Sequence, residues 1–196
     1  MRLAVRRGWL PGARYSNLRD IRGFETIGLI DVDWKRYSFK QHLAAVKAVR
    51  PLLTVARDVT SLRSVDELFT QIELLRGYAE TVIVVPKVRS FVKVKRRFLD
   101  IGVILGYSVQ TGYGGTRLPL RHFVDSPVHL LGGRPLAQFK LSRALTVTSL
   151  DCNSITVDAA FGKYFDGSRW RPSKRGYAWC ISASLHGLNK LWEVAS

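Results

Sequence analysis

The sequence predicts an α/β fold built on a parallel sheet, and three observations carry that expectation. Short, largely β-branched runs recur along the chain, at Thr26 to Ile30, Leu52 to Ala56, Thr81 to Val85, Gly102 to Leu105, Val128 to Leu131 and Thr146 to Leu150. Their starts lie roughly 20 to 30 residues apart, which is the length of a strand, a crossover helix and two loops. The runs are nearly continuously apolar, as expected of strands buried on both faces by helices.

Taken in order, the stretches between the runs support that spacing. Phe39, Leu43, Val46 and Val49 mark one helical face, and Val65, Leu68, Ile72 and Leu75 mark another. Ser38 and Ser64 stand where N-caps belong, and Pro51 and Gly77 punctuate the two ends. The basic stretch from Val88 to Asp100 is less periodic and reads as a helix or an extended loop. From Phe165 onward the chain is richer in Trp, Arg and Gly. There Trp170, Trp179 and Trp192, with Ile181, Leu185, Leu188 and Leu191, predict a closing helix packed on the sheet. The pattern fits a shortened (β/α) barrel or an open doubly wound sheet. No linker divides residues 1–196, so one domain is expected.

Composition narrows the function. The chain carries 31 Lys and Arg against 15 Asp and Glu, a net charge of +16, which points to a polyanionic partner and first to nucleic acid. Two cysteines, Cys152 and Cys180, make neither a disulfide framework nor a sequence-evident metal site. No apolar leader region follows Arg2, Arg6 and Arg7, and no run of about 18 apolar residues occurs. A soluble cytoplasmic protein without a membrane partner is therefore expected, in the host cytoplasm if the source is viral. The dinucleotide fingerprint is not found after the first run and no phosphate-binding P-loop occurs, so nucleotide-cofactor and NTPase readings lose their support.

In parallel α/β folds ligands bind beyond the carboxyl ends of the strands. Asp31 and Asp33 follow the first run, Asp58 the second, Lys87 the third, Gly106 to Ser108 the fourth, Gly132 and Gly133 the fifth and Asp151 the sixth. Singly, each acid reads equally as a helix cap or an Asx turn. Jointly, with apolar residues pressed before them in IGLID, LLTVARD and VTSLD, they read as a site. The glycines of GYSVQTGYGG allow a base or phosphate to approach the backbone, with Tyr107 or Tyr113 to stack on it; a flexible loop is the alternative. Arg134 and Lys87 are candidate phosphate contacts, and Lys93, Lys95, Arg96 and Arg97 form a candidate backbone-tracking patch. His129, inside an apolar strand, reads more readily as a core residue than as a base.

The segment VHLLGGRP followed by SLDCNSI, with GYSV before them, resembles the tRNA-guanine transglycosylase superfamily over roughly residues 27–155. Within it the chain resembles most the short DNA-directed members. The resemblance implies a shortened TIM-like (β/α) barrel with parallel strands, closed by a C-terminal helical segment. It also implies exchange of guanine in DNA for a 7-deazaguanine base such as preQ0, with no cofactor and no metal. Asp151 would be the nucleophile and Asp31 the proton shuttle. Asp33 competes for the second role, because the family's DSGGFQ is replaced here by DVDWKRY. Asp58 would hydrogen-bond one edge of the base, and Gly106, Tyr107 and Ser108 would line the other. The family's cysteine-and-histidine zinc module is absent, as expected of a DNA-directed member, and the short chain needs either the segment after Arg171 or a homo-oligomer to close the barrel. tRNA is the alternative substrate. A non-catalytic nucleic-acid-binding protein is the reading from another class.

Overall fold

The computed structural model describes residues 1–112 and 114–193; Tyr113 lies outside the described residues. Helix α1 (Arg2–Val5) leads into strand β1 (Gly12–Arg14), followed by β2 (Leu29–Asp31), α2 (Phe39–Val49), β3 (Leu53–Val55), α3 (Val65–Arg76) and β4 (Thr81–Val84). Then come α4 (Lys95–Asp100), β5 (Ile104–Ser108), β6 (Pro127–Leu131), α5 (Pro135–Ser142), β7 (Thr146–Leu150) and α6 (Ser154–Ala160). A hairpin of β8 (Lys163–Phe165) and β9 (Trp170–Pro172) precedes the last helix, α7 (Tyr177–Glu193).

Strands β1 to β7 form one sheet in sequential order, and every neighbouring pair is parallel. A doubly wound sheet reverses its strand order at a switch point. This sheet never does, and it curls into a half-barrel with helices around it, a shortened TIM-like arrangement. β1 and β7 are its two free edges. Each of the six runs read from the sequence contains or overlaps a strand, the first only at Leu29 and Ile30 and the fourth only at Ile104 and Leu105. The additional edge strand, Gly12–Arg14, is too short and too polar to leave an apolar signature.

Local chemistry fixes the helices on the outer face. Ser38 caps α2 by accepting the Gln41 amide on its Oγ, and Arg50 closes that helix in the left-handed conformation before Pro51. Ser64 makes no side-chain cap. The α3 amino end carries Asp66 and Glu67 in its first turn instead, where they oppose the helix dipole. The basic stretch resolves into a 3₁₀ turn at Arg89–Lys93 and the helix α4. Helices and sheet bury Val46, Ile72, Leu75, Val82, Val84, Phe98, Leu105, Phe123, Val128 and Leu130 between them.

A second hydrophobic cluster holds the C-terminal segment together, with Ile155, Phe165, Cys180, Ile181, Leu185 and Leu188 at its centre. A Cβ on Gly187 would collide with the Phe165 carbonyl, so glycine there lets α7 lie directly on the hairpin. The aromatic residues expected to pin this helix to the sheet act mostly within the second cluster. Trp179 meets Tyr164 edge-on and Trp170 packs on Phe165, while Trp192 meets Phe139 of α5. α7 also holds the N-terminal segment, because Trp9 Nε1 donates to Asn189 Oδ1 (2.8 Å) and Asn189 Nδ2 donates to the Arg7 carbonyl (3.1 Å).

Candidate functional site

The inner face of the half-barrel opens into a cavity of 1290 Å³. Both free edges contribute to its wall: Gly12 and Arg14 of β1 with Leu29 and Asp31 of β2 on one side, and His129 of β6 with Ser149 and Asp151 on the other. Residues of α1 and α7 line it across the gap. The volume exceeds the roughly 300 to 1,000 Å³ of ordinary small-molecule pockets.

Asp151 follows β7 and is held on three sides. Its amide donates to the Leu130 carbonyl (3.1 Å), its carbonyl accepts Nε2 of Gln138 (2.7 Å), and its Oδ1 accepts the Gly132 amide (2.9 Å). The same Gln138 nitrogen donates to the Gly132 carbonyl (2.9 Å), so one buried side chain ties the β6 turn to the β7 turn. Gly132 and Gly133 adopt positive φ, which turns that amide back toward the carboxylate. His129 is 1% exposed, with Nδ1 2.7 Å from Ser149 Oγ and Nε2 3.5 Å from Asp151 Oδ1. Nε2 makes no hydrogen bond among the described residues, and the tautomer protonated there presents its hydrogen to the carboxylate.

Asp31 ends β2 and faces the same cavity in a different environment. Burial pushes its carboxyl up to about 6, against the hydrogen bond from the Val32 amide (2.8 Å). The Asp151 charge raises it further, Arg14 lowers it, and Asp58 raises it again. The two carboxylates therefore sense each other across the lumen. Asp33, the competing candidate, is turned out of the cavity. It accepts the Lys35 amide (3.2 Å) in a tight turn and lines a separate depression with Arg14, Trp34, Lys35 and Arg36.

Asp58 and Lys87 are brought together above β3 and β4, where a bridge between Val59 and Pro86 prolongs the pairing. They form a half-buried ion pair at 3.7 Å. Burial raises the Asp58 carboxyl and Lys87 draws it back down. Asp58 acts on Asp31 electrostatically but does not line the cavity. The expected base-edge contact and the expected phosphate contact thus neutralise each other instead.

The glycine-rich candidates need correction for a geometric reason: β5 continues through Ser108, so its side chains alternate between the two faces. Tyr107 falls on the helix side, buried and edge-on to Phe123, and cannot line a base. Gly106 faces inward but lies under Ile83, Val85 and Leu131, where a Cβ would come within 2.8 Å of each. Its small size serves packing rather than base contact. Ser108 is fastened to Thr116, which receives its amide on Oγ1 (3.2 Å).

The expected backbone-tracking patch is partly committed elsewhere. Lys95 donates to the His122 carbonyl (2.9 Å) and is half-buried, with its amine held below the usual lysine range by that burial. Arg97 pairs with Asp66 and lies over the Phe69 ring, and Arg96 pairs with Asp100 on the α4 surface. Lys93 is exposed. Arg134 lies over Trp170, its guanidinium 3.9 Å from Asp158.

The family model for DUF6610, described as a family of unknown function, matches residues 4–193. The chain belongs to that family. The DUF6610 match spans the half-barrel, both carboxylate edges and the C-terminal cluster, so the segment after β7 belongs to the family unit. No curated protein matches the chain. Among the described residues no group of three or more His, Cys, Asp and Glu side chains is placed to hold a metal ion, and no helix is long and apolar enough to cross a membrane.

Three site residues were not singled out as such in the sequence. Arg14 lies on the short strand that carried no signal. Gln138 looked like any polar helix residue, and only the tertiary fold turns it onto two carbonyls. His129 is buried, as an apolar strand implies, but the bulge between Val128 and His129 offsets the register so that it pairs with Ser149 beside Asp151.

Proposed function

We propose that the chain is a base-exchanging transglycosylase acting on DNA, with Asp151 as nucleophile and Asp31 as proton carrier. The observation that carries this reading is the pair of carboxylates on opposite sides of one large cavity, Asp31 desolvated with its carboxyl pushed up to about 6 and Asp151 held by the Gly132 amide. The net charge of +16 supports a nucleic-acid substrate.

In this reaction an oxygen of the Asp151 carboxylate attacks C1′ of a deoxyguanosine drawn out of the stack. The bond from C1′ to N9 breaks, and the base leaves with the electron pair and takes a proton from neutral Asp31. The sugar remains esterified to Asp151. A 7-deazaguanine base then returns a proton to Asp31 and attacks C1′ through its ring nitrogen, which frees the carboxylate. Atoms and charges balance without a redox partner. A group that titrates at about 6 exchanges protons readily near neutrality, as the shuttle requires. The Gly132 amide on Asp151 Oδ1 fixes the orientation of the nucleophile.

The test is incorporation of labelled guanine or 7-deazaguanine into duplex DNA, single-stranded DNA and tRNA incubated in parallel. The expected outcome is label in DNA, abolished in Asp151→Asn. Label in tRNA alone would transfer the reading to that substrate, and normal exchange by Asp151→Asn would overturn the nucleophile assignment.

A further inference from the structure

The segment between β2 and α2 presents a feature that the carboxylate chemistry does not use. Trp34 is 68% exposed and is the only one of the five tryptophans on the exposed surface. The exposed indole offers a flat apolar face to a ligand from solvent. It lines a depression with Arg14, Asp33, Lys35 and Arg36, three of them cationic, and Arg14 belongs to both that depression and the large cavity. Lys35 Nζ lies 5.1 Å from the centroid of the indole.

The root of this segment is fixed while its tip projects. Tyr15 donates its hydroxyl hydrogen to the Arg36 carbonyl (2.8 Å) and accepts the Ser38 amide (2.9 Å). Its ring stacks on buried His42, and Tyr37 meets both rings edge-on. Thr54 gives its hydroxyl hydrogen to the Ile30 carbonyl, so it accepts from His42 Nε2, which leaves Nδ1 free to accept from the Tyr37 hydroxyl. Asp33 tightens the tip by accepting the Lys35 amide. A clamped root lowers the entropy lost when the tip engages a ligand.

We propose that Trp34 is a stacking platform for a nucleobase of an unpaired strand, that of a nucleotide adjacent to the one whose base enters the cavity, with Lys35, Arg36 and Arg14 holding the flanking phosphates. The proposal rests on the DNA reading above and names how the strand is gripped. Every base offers a π-face, so such a platform tolerates sequence, and cations beside an aromatic ring are the pattern by which unpaired strands are tracked. The shared Arg14 sets the direction: a strand stacked on Trp34 passes beside the β1 edge and enters the cavity next to Asp31.

The test titrates the full chain with a single-stranded oligodeoxynucleotide of about 12 nucleotides, following tryptophan fluorescence, affinity and salt dependence. Stacking predicts quenching of the wild-type emission. Trp34→Phe should remove most of that quenching while keeping most of the affinity. Trp34→Ala should raise Kd roughly tenfold without changing the salt slope, because no charge is lost. The Lys35→Gln, Arg36→Gln double variant should flatten the slope by about two. Because Trp34 is exposed, unchanged thermal unfolding of each variant is expected and checked. Wild-type affinity in Trp34→Ala, or quenching that persists in Trp34→Phe, would overturn the proposal. Quenching and the Trp34→Ala loss without any base exchange would leave the platform standing and remove the transglycosylase reading. Exchange at undiminished kcat/KM in Trp34→Ala, without quenching, would remove the platform alone.

Discussion

The two sides of the half-barrel carry the same functional group and treat it in opposite ways. At the end of β2, one strand in from the β1 edge, Asp31 is desolvated and titrates at about 6, with one backbone amide as its hydrogen-bond partner. At the β7 edge Asp151 accepts a backbone amide, faces an imidazole and sits on a turn fastened by Gln138. One carboxyl thereby keeps its proton to a higher pH than an ordinary aspartate, and the other is built to be held still. A residue type at a strand end does not assign a role; solvation and hydrogen bonding do.

The sharpest way to break this comparison is to neutralise each edge in turn. Asp151→Asn should abolish base exchange with little change in stability, because the asparagine oxygen still accepts the Gly132 amide; the readout is labelled-base incorporation alongside urea unfolding. Asp31→Asn should lower exchange by about 10²- to 10⁴-fold, the usual contribution of a positioned acid and base. It should also stabilise the protein at pH 7 by about 1–3 kcal/mol, since the folded state no longer buries a charge. The raised pKa means that this destabilisation by Asp31 is absent below its ordinary value of 3.8, grows as pH rises toward about 6, and is constant above. The stability difference between wild type and Asp31→Asn should follow that window. Wild-type exchange should decline above about pH 6 as the proton donor is lost.

Next in size is the fastening of the β7 edge. Gln138→Leu leaves the Gly132 and Asp151 carbonyls without their buried donor, which should cost about 1–3 kcal/mol in unfolding free energy. Exchange should fall as well, through kcat more than KM, because Asp151, the proposed nucleophile, is displaced and the proposed strand contacts are not. A fall in stability without a kcat effect would show that Gln138 serves the fold only. The smallest effect is expected at the outer patch. Lys93→Gln with Arg96→Gln should weaken DNA binding uniformly across sequences and flatten the salt slope by about two.

The frame was legible in the sequence because parallel strands and their helices are announced by long-period apolar patterning. Thr81 to Val85 and Thr146 to Leu150 needed nothing but their β-branched content and their punctuation. Gly12–Arg14 was not legible, since an edge strand of three residues gains its definition from the neighbour it pairs with. Within the site, the carboxylates at Asp31 and Asp151 were legible as strand ends, whereas the face of Tyr107 was not. Reading GYSV as a loop hid the alternation that turns that ring toward Phe123. Lys87, Lys95 and Arg97 illustrate a further limit. Sequence counts charges, and only the fold shows that Asp58, the His122 carbonyl and Asp66 already engage these three. Long-range pairings such as Arg97 with Asp66 leave no local signature, because the two residues belong to different helices.

Convergence of Asp31 and Asp151 on one cavity is the claim on which the mechanism depends, and NMR titration of the Asp31 side-chain carboxyl measures it directly. A midpoint at about 6 is expected in the wild-type protein and a lower midpoint in Asp151→Asn, where the repelling like charge has been removed. A midpoint near 3.8, or one that does not move when Asp151 is neutralised, would contradict it.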